Sequence, residues 1–464
     1  MIDRRDFLRR SALASMAMAG IGGTSIRSLE AALPRSGFGK AKRVIWLHMA
    51  GGPSPLDLFD PKPALKKYNG QDCPAEYLQK ERFAFIKGTP KLLESPYSFK
   101  QHGESGQWIS ELLPHTAGIS DKLTVVRSLH TTQFNHAPAQ IFMATGHAFL
   151  GRPSMGSWLS WGLGSLDRDL PAYAVLLSGQ FLPSGGSSCW SNGFLPSQHQ
   201  GVRLMKGKDP VLFLSNPEGT DREQRRRTLD VLNNLNRERF QVHGDPDTLA
   251  RVDQYELAFR MQEKFPILSD LSPESKETLD LYGVEADKPS FAANCLLARR
   301  LAESGVRFVQ LFDWGWDSHG TGTNDDLITS LPNQCRRTDK ACAALILDLE
   351  QRGLLEDTIV IWGGEFGRTP MNEERNGSTF LGRDHHPHAF TMWMAGGGFR
   401  EGVSYGSTDE LGYLIDQNPM EIHDLHATML HLLGIEHESF TYFHQGRNFR
   451  LTDVAGEVVA DILA

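Results

Sequence analysis

Between Phe312 and His388 the chain carries three segments in which a short apolar run adjoins glycine and acidic or imidazole side chains. The first is Phe312-Asp313-Trp314-Gly315-Trp316-Asp317-Ser318-His319-Gly320. The second runs from Thr358 through Ile359-Val360-Ile361-Trp362 into Gly363-Gly364-Glu365-Phe366-Gly367-Arg368-Thr369-Pro370. The third, Gly382-Arg383-Asp384-His385-His386-Pro387-His388, precedes the run Phe390 to Met394. Short β-rich apolar runs of this kind read as strands of a parallel sheet covered on both faces. In such sheets the ligand sits outside the carboxyl ends of the strands. Asp317, His319, Glu365 and His385 are therefore candidates for one polar site. Imidazoles mixed with carboxylates make it a candidate metal site.

The same punctuation recurs along the chain. Strands are predicted over 43–49, 123–127, 172–177, 306–312, 358–362 and 390–394, alternating with helices. The fold class that follows is α/β, with a mostly parallel central sheet and helices on both faces. One domain is expected over 40–464, with a helical insertion at about 215–290. Asp57 follows the first strand and its Gly51-Gly52 break, where a ligand carboxylate fits; an N-cap or an Asx-turn fits equally. Pro138 suits the first turn of a helix ending at Gly146. Asn135 or His136 then stands at a helix N-terminus, as an anion site or as plain capping. The basic run Arg222 to Arg227 reads as a solvated helix face.

The chain has 464 residues, of which 22% are charged and 40% hydrophobic, an ordinary globular balance. The net charge of −8 argues against a nucleic-acid surface. No uncharged apolar run approaches the roughly 20 residues that span a bilayer. Five cysteines with no CxxC spacing predict no disulfide framework. Near the N-terminus Arg4-Arg5, Phe7-Leu8 and the mild apolar run Ala12 to Gly23 resemble a twin-arginine signal. Residues 1–32 are expected to be that signal peptide. The twin-arginine export machinery is then a partner, and the mature protein is periplasmic or extracellular. An amphipathic N-terminal helix is the other reading.

Four segments together resemble one family: residues 51–63 (Gly-Gly-Pro-Ser-Pro-Leu-Asp-Leu-Phe-Asp-Pro-Lys-Pro), 316–320, 364–370 and 382–385. That family is a set of exported bacterial proteins described as domain of unknown function 1501, itself similar to the alkaline phosphatase/sulfatase superfamily. The resemblance implies that Asp57 matches the superfamily's first metal ligand. It implies that His136 to Gly146 matches the segment around the catalytic residue, and that Asp424 to Gly434 is the closing helix. His385 matches the metal-binding His before the late strand. The departures are specific. His136 stands where sulfatases carry the Cys or Ser converted to formylglycine, and Glu365-Phe366 stands where an Asp-His pair is usual. The Asp-x-x-x-His pair is respaced, with Asp313, Asp317 and His319 as candidates.

The function so implied is an exported metal-dependent hydrolase of phosphate or sulfate esters. It would act through metal-bound water, or a hydroxyl of Thr131 or Thr132, rather than formylglycine. One or two divalent ions are implied, Zn, Mn or Fe ahead of Ca or Mg. The substrate would be an anionic small-molecule or polysaccharide ester. In that scheme Asp57, Glu365 and His136 share one metal, and Arg383 or Arg368 holds the anionic oxygens as a fork. The alternative is a non-catalytic exported binding or structural protein that retains the fold.

Overall fold

The structure is a computed structural model that describes residues 37–78, 83–179, 181–205, 215–285 and 288–464. Residues 1–32, expected to be a signal peptide, lie outside the described residues.

The first strand, β1 (Arg43–Ala50), shows why the core forms as it does. Ile45, Leu47 and Met49 point into one apolar core, while Val44 and Trp46 point into another. Both faces are dry, so the strand reads as a continuous apolar run rather than an alternating one. Each fully buried aliphatic side chain of this kind contributes about 1.5–3 kcal/mol. The other strands of the sheet are β2 (Thr124–His130), β3 (Tyr173–Ser178), β4 (Val202–Leu204), β5 (Phe308–Trp314), β6 (Thr358–Gly363), β7 (Phe390–Ala395), β8 (Val403–Tyr405) and β9 (Met420–Glu421). Their order is β8-β2-β7-β6-β1-β5-β3-β4, with β9 also beside β2. All six predicted strands form. β4, β8 and β9, each of two or three residues, are too short to leave a pattern in the sequence.

Two layers of helix cover the sheet. On the face of Ile45 and Leu47 lie α6 (Phe291–Glu303) and α7 (Ser330–Gln351). On the opposite face lie α1 (His136–Thr145), α2 (Met155–Leu163) and α8 (Ile422–Leu432). Three further helices, α3 (Arg222–His243), α4 (Pro246–Ser269) and α5 (Lys276–Tyr282), occupy the stretch expected to be a helical insertion. All five cysteines are free and buried. Among the described residues no helix is long and apolar enough to cross a membrane.

Strand β7 runs antiparallel to both neighbours, β2 and β6. The remaining pairings of the sheet are parallel. Reversing one strand has a functional consequence. The segment before β7, Arg383 to His388, emerges at the same sheet edge as the carboxyl ends of β1, β2, β5 and β6. Four strand-end loops and one strand-leading loop thus meet at that edge.

Candidate metal centre

Three imidazoles and one carboxylate converge there. His136, Asp317, His319 and His385 each offer a ligand atom, and those atoms lie within 4.8 Å of one another. The Nε2 atoms of the three histidines all face Asp317. His319 Nε2 is 2.9 Å and His385 Nε2 3.3 Å from Asp317 Oδ1, and His136 Nε2 is 3.3 Å from Oδ2.

Each ring is aimed from behind by its other nitrogen. His136 Nδ1 lies 2.7 Å from Glu365 Oε1, His319 Nδ1 bonds Glu373, and His385 Nδ1 donates to the Phe134 carbonyl at 2.7 Å. A carbonyl can only accept, so His385 carries its proton on Nδ1 and keeps the Nε2 lone pair open. Acceptors behind the other two rings favour the same tautomer. This is the arrangement in which metal-binding histidines are held.

Local sequence explains how each part arrives. His136 begins α1 after Asn135, and Gly146 ends that helix with φ of 69°. Gln140 lies one turn further along the same face, and its Nε2 donates to Glu365 Oε1 at 2.8 Å. His385 pairs with Arg368 across a two-residue antiparallel ladder, and Arg368 in turn bonds Asp317. Gly51 has φ of 125°, and a Cβ there would stand 2.5 Å from Asp317 N. Only glycine allows this approach, which lets the Gly51 N–H donate to Glu365 at 3.1 Å.

The electrostatics suit a cation. Burial raises the Asp317 pKa, but the Arg368 charge and the imidazoles of His136, His319 and His385 set against it outweigh that, so the carboxylate is held well below the usual range. Burial likewise raises Glu365, and its bonds to His136 and His48 reverse that to a net lowering. His385 is pulled down to about 4, chiefly by burial. Burial lowers His136 as well, yet its bonds to Asp317 and Glu365 win and raise it to about 9. His136 Nε2 is buried against Asp317 Oδ2 at 3.3 Å, an ion-pair contact without hydrogen-bond geometry. A metal ion that displaces the His136 proton fits this donor set: one ionised carboxylate and three imidazole Nε2 atoms, with nitrogen ligands favouring Zn, Mn or Fe over Ca or Mg.

Two expected ligand roles are corrected. Asp57 is not at the cluster; its carboxylate is held in a fork by Arg383 and accepts from the Ser54 hydroxyl at 2.6 Å. Arg383 spends its other donors on the Leu93 and Thr369 carbonyls, both at 3.2 Å. Both side chains are fully buried. A guanidinium fork matches a carboxylate so well that, once buried, each is the other's partner, which leaves Asp57 outside the cluster. Arg368 is also consumed, by the carbonyls of Gly51, Gly52 and Arg383 as well as by Asp317. Glu365 is brought to the cluster but stands behind His136, against Nδ1 rather than Nε2. The Phe366 ring packs on the cluster, 5.0 Å from the ring of His136 and 4.5 Å from that of His385. Asp313 is taken by Arg337. The Thr131 and Thr132 hydroxyls accept from Gln133.

Several residues of the site were not singled out from the sequence. Glu373 aims His319. His48, on the α1 side of β1, lies 3.3 Å from Glu365. Asp384 accepts from the N–H groups of Phe85 and Ile86 at 2.7 and 2.9 Å and so ties that loop over the cluster. Phe85 packs edge-on against His319 and His385, 5.0 and 5.6 Å away. On the other side Trp314 stands 6.3 Å from His136. Of these only His48, a polar residue inside an apolar strand, and Gln140, four residues after His136, left a signal in the sequence.

Solved structures similar to this chain include three at low identity. The PsFucS1 sulfatase from Pseudoalteromonas sp. is 12% identical over 95% of this chain and 74% of its own, with a TM-score of 0.41. The lipoteichoic acid synthase LtaP from Listeria monocytogenes is 11% identical over 86% and 74%, TM-score 0.34. The alkaline phosphatase from the Antarctic bacterium TAB5 is 11% identical over 79% and 94%, TM-score 0.32. No curated protein matches the chain. The family described as "Protein of unknown function (DUF1501)" matches residues 41–463, nearly the whole described chain. The protein belongs to that family.

Proposed function

We propose that His136, Asp317, His319 and His385 hold a divalent metal, and that the protein uses it to hydrolyse phosphate or sulfate esters after export. The observation that carries this reading is the convergence of three Nε2 atoms on one carboxylate, each ring braced at Nδ1. When bound, the ion would supply Lewis acidity and lower the pKa of a water molecule. The chain's own part is to fix the ligands. Glu365 and Glu373 orient two imidazoles, Asp317 supplies the charge, and Phe85 and Phe366 keep solvent from the His385 side. The reaction class comes from the sequence resemblance.

One observation favours a non-catalytic metal-binding protein instead: both guanidiniums expected to grip an anionic ester are locked in the interior. Metal analysis of the purified full chain, together with assays of aryl phosphate, phosphodiester and aryl sulfate esters, decides between them. Bound metal with turnover that chelation abolishes supports the hydrolase. Bound metal without turnover supports the binder, and no bound metal removes both.

A further inference from the structure

The open side of the cluster is walled by aromatic rings. Asp317 and His136 keep 27% and 15% of their side chains exposed, whereas His319 and His385 keep 5% and 2%. Phe85 packs on the two buried imidazoles, so a ligand reaches the cluster past Asp317 and His136. Trp314 stands on that side, half-buried, with its ring 6.3 Å from that of His136. Strand β3 lies beside β5 with Ser178 opposite Asp313, so the chain leaving β3 runs past Trp314. It sets Phe181 edge-to-face against the indole, with ring centroids 6.3 Å apart at 71°. The same loop is pinned to α1, where the Gly185 N–H donates to Gln140 Oε1 at 2.9 Å. Phe181 is nevertheless 62% exposed.

Two rings at this angle form a corner that offers a π face and a ring edge. A flat ring entering it stacks on one and meets the edge of the other, the two favoured aromatic geometries. The rest of the site gives such a ring a purpose. Arg368 and Arg383 are both committed to interior partners, so neither orients the anionic half of an ester. Orientation then falls to the alcohol half, whose contacts contribute binding energy away from the reacting bond. A flexible chain loses rotamer freedom when it is held there, and a ring does not.

We infer that Trp314 and Phe181 form a subsite for a ring, aryl or pyranose, in the alcohol half of the ester; this rests on the hydrolase reading above. Calorimetric titration of the zinc-loaded full chain with non-hydrolysable phosphonates and sulfonates tests it. Phenyl and glucose-derived compounds carry the two kinds of ring, and methyl compounds carry none. At least one ring compound binds about tenfold more tightly than its methyl counterpart, and the tighter of the two identifies the ring. Phe181→Ala removes most of that preference and Phe181→Tyr keeps it, both at the parent's melting temperature and metal content. Equal affinity for ring and methyl compounds, or a preference that survives Phe181→Ala, overturns the subsite and leaves the hydrolase reading standing. No affinity for any of them overturns both. If the phosphonate analogue of phosphocholine binds more tightly than either ring and Phe181→Ala abolishes that, the corner belongs to a quaternary ammonium, which overturns the inference too.

Discussion

Arg383 donates to both carboxylate oxygens of Asp57, from Nε to Oδ2 at 2.8 Å and from Nη2 to Oδ1 at 3.1 Å. The pair ties the loop after β1 to the segment leading into β7. Removing one partner leaves a buried unpaired charge, which costs about 3–5 kcal/mol. Asp57→Ala is therefore expected to lower the melting temperature sharply while the folded fraction keeps the parent's metal content. Loss of metal at an unchanged melting temperature would return Asp57 to the ligand set.

The Nε2 atoms of His319 and His385 both face Asp317 Oδ1, at 2.9 and 3.3 Å. His319→Ala and His385→Ala are expected to bind much less metal. Added Zn or Mn should then no longer raise the melting temperature, because stabilisation by a ligand scales with its affinity for the folded state. Isothermal titration of the metal-free protein checks this.

Glu373 acts only through His319. Glu373→Ala should keep all four ligating side chains yet weaken metal binding about 10–100-fold, the usual cost of losing an acceptor behind a ligand imidazole. An affinity equal to the parent's would show that His319 is aimed by packing alone.

His136 is both the first residue of α1 and the carrier of a buried Nε2 that faces Asp317. Its replacement by alanine should lower metal affinity with a small change in helix stability. Unchanged affinity would leave His136 as the opening residue of a helix and nothing more.

His426 on α8 is far from these roles and reports on pH. It donates from Nε2 to the Met143 carbonyl at 2.9 Å, and burial, with His423 nearby, pulls its pKa down to about 3 from 6.5. A folded-state pKa below the unfolded value means that the unfolded chain takes up the proton first. Its contribution to stability is complete above pH 6.5 and is lost as pH falls toward 3, at about 1.4 kcal/mol per pH unit. Melts between pH 7 and 4.5 should show a shallower fall for His426→Gln, which can still donate to Met143.

The six longer strands of the sheet and the edge that carries the chemistry were legible in the residues alone. β1, β5, β6 and β7 are apolar on both faces, and glycine followed by Asp, Glu or His breaks each at one end. That information is local, because propensity and burial act on a few neighbouring residues. It also brought Asp317, His319, His385 and His136 into view as candidates. Which acid meets which base was settled by folding. Asp57, 326 residues from Arg383 in the chain, is claimed by a guanidinium, whereas Asp317 is left to three imidazoles. The antiparallel course of β7, which carries His385 to the right edge, is equally silent in its residues. A carboxylate looks the same in the sequence whatever it faces. Its role is set by the partner that arrives within about 3 Å, and that distance exists only once the chain has folded.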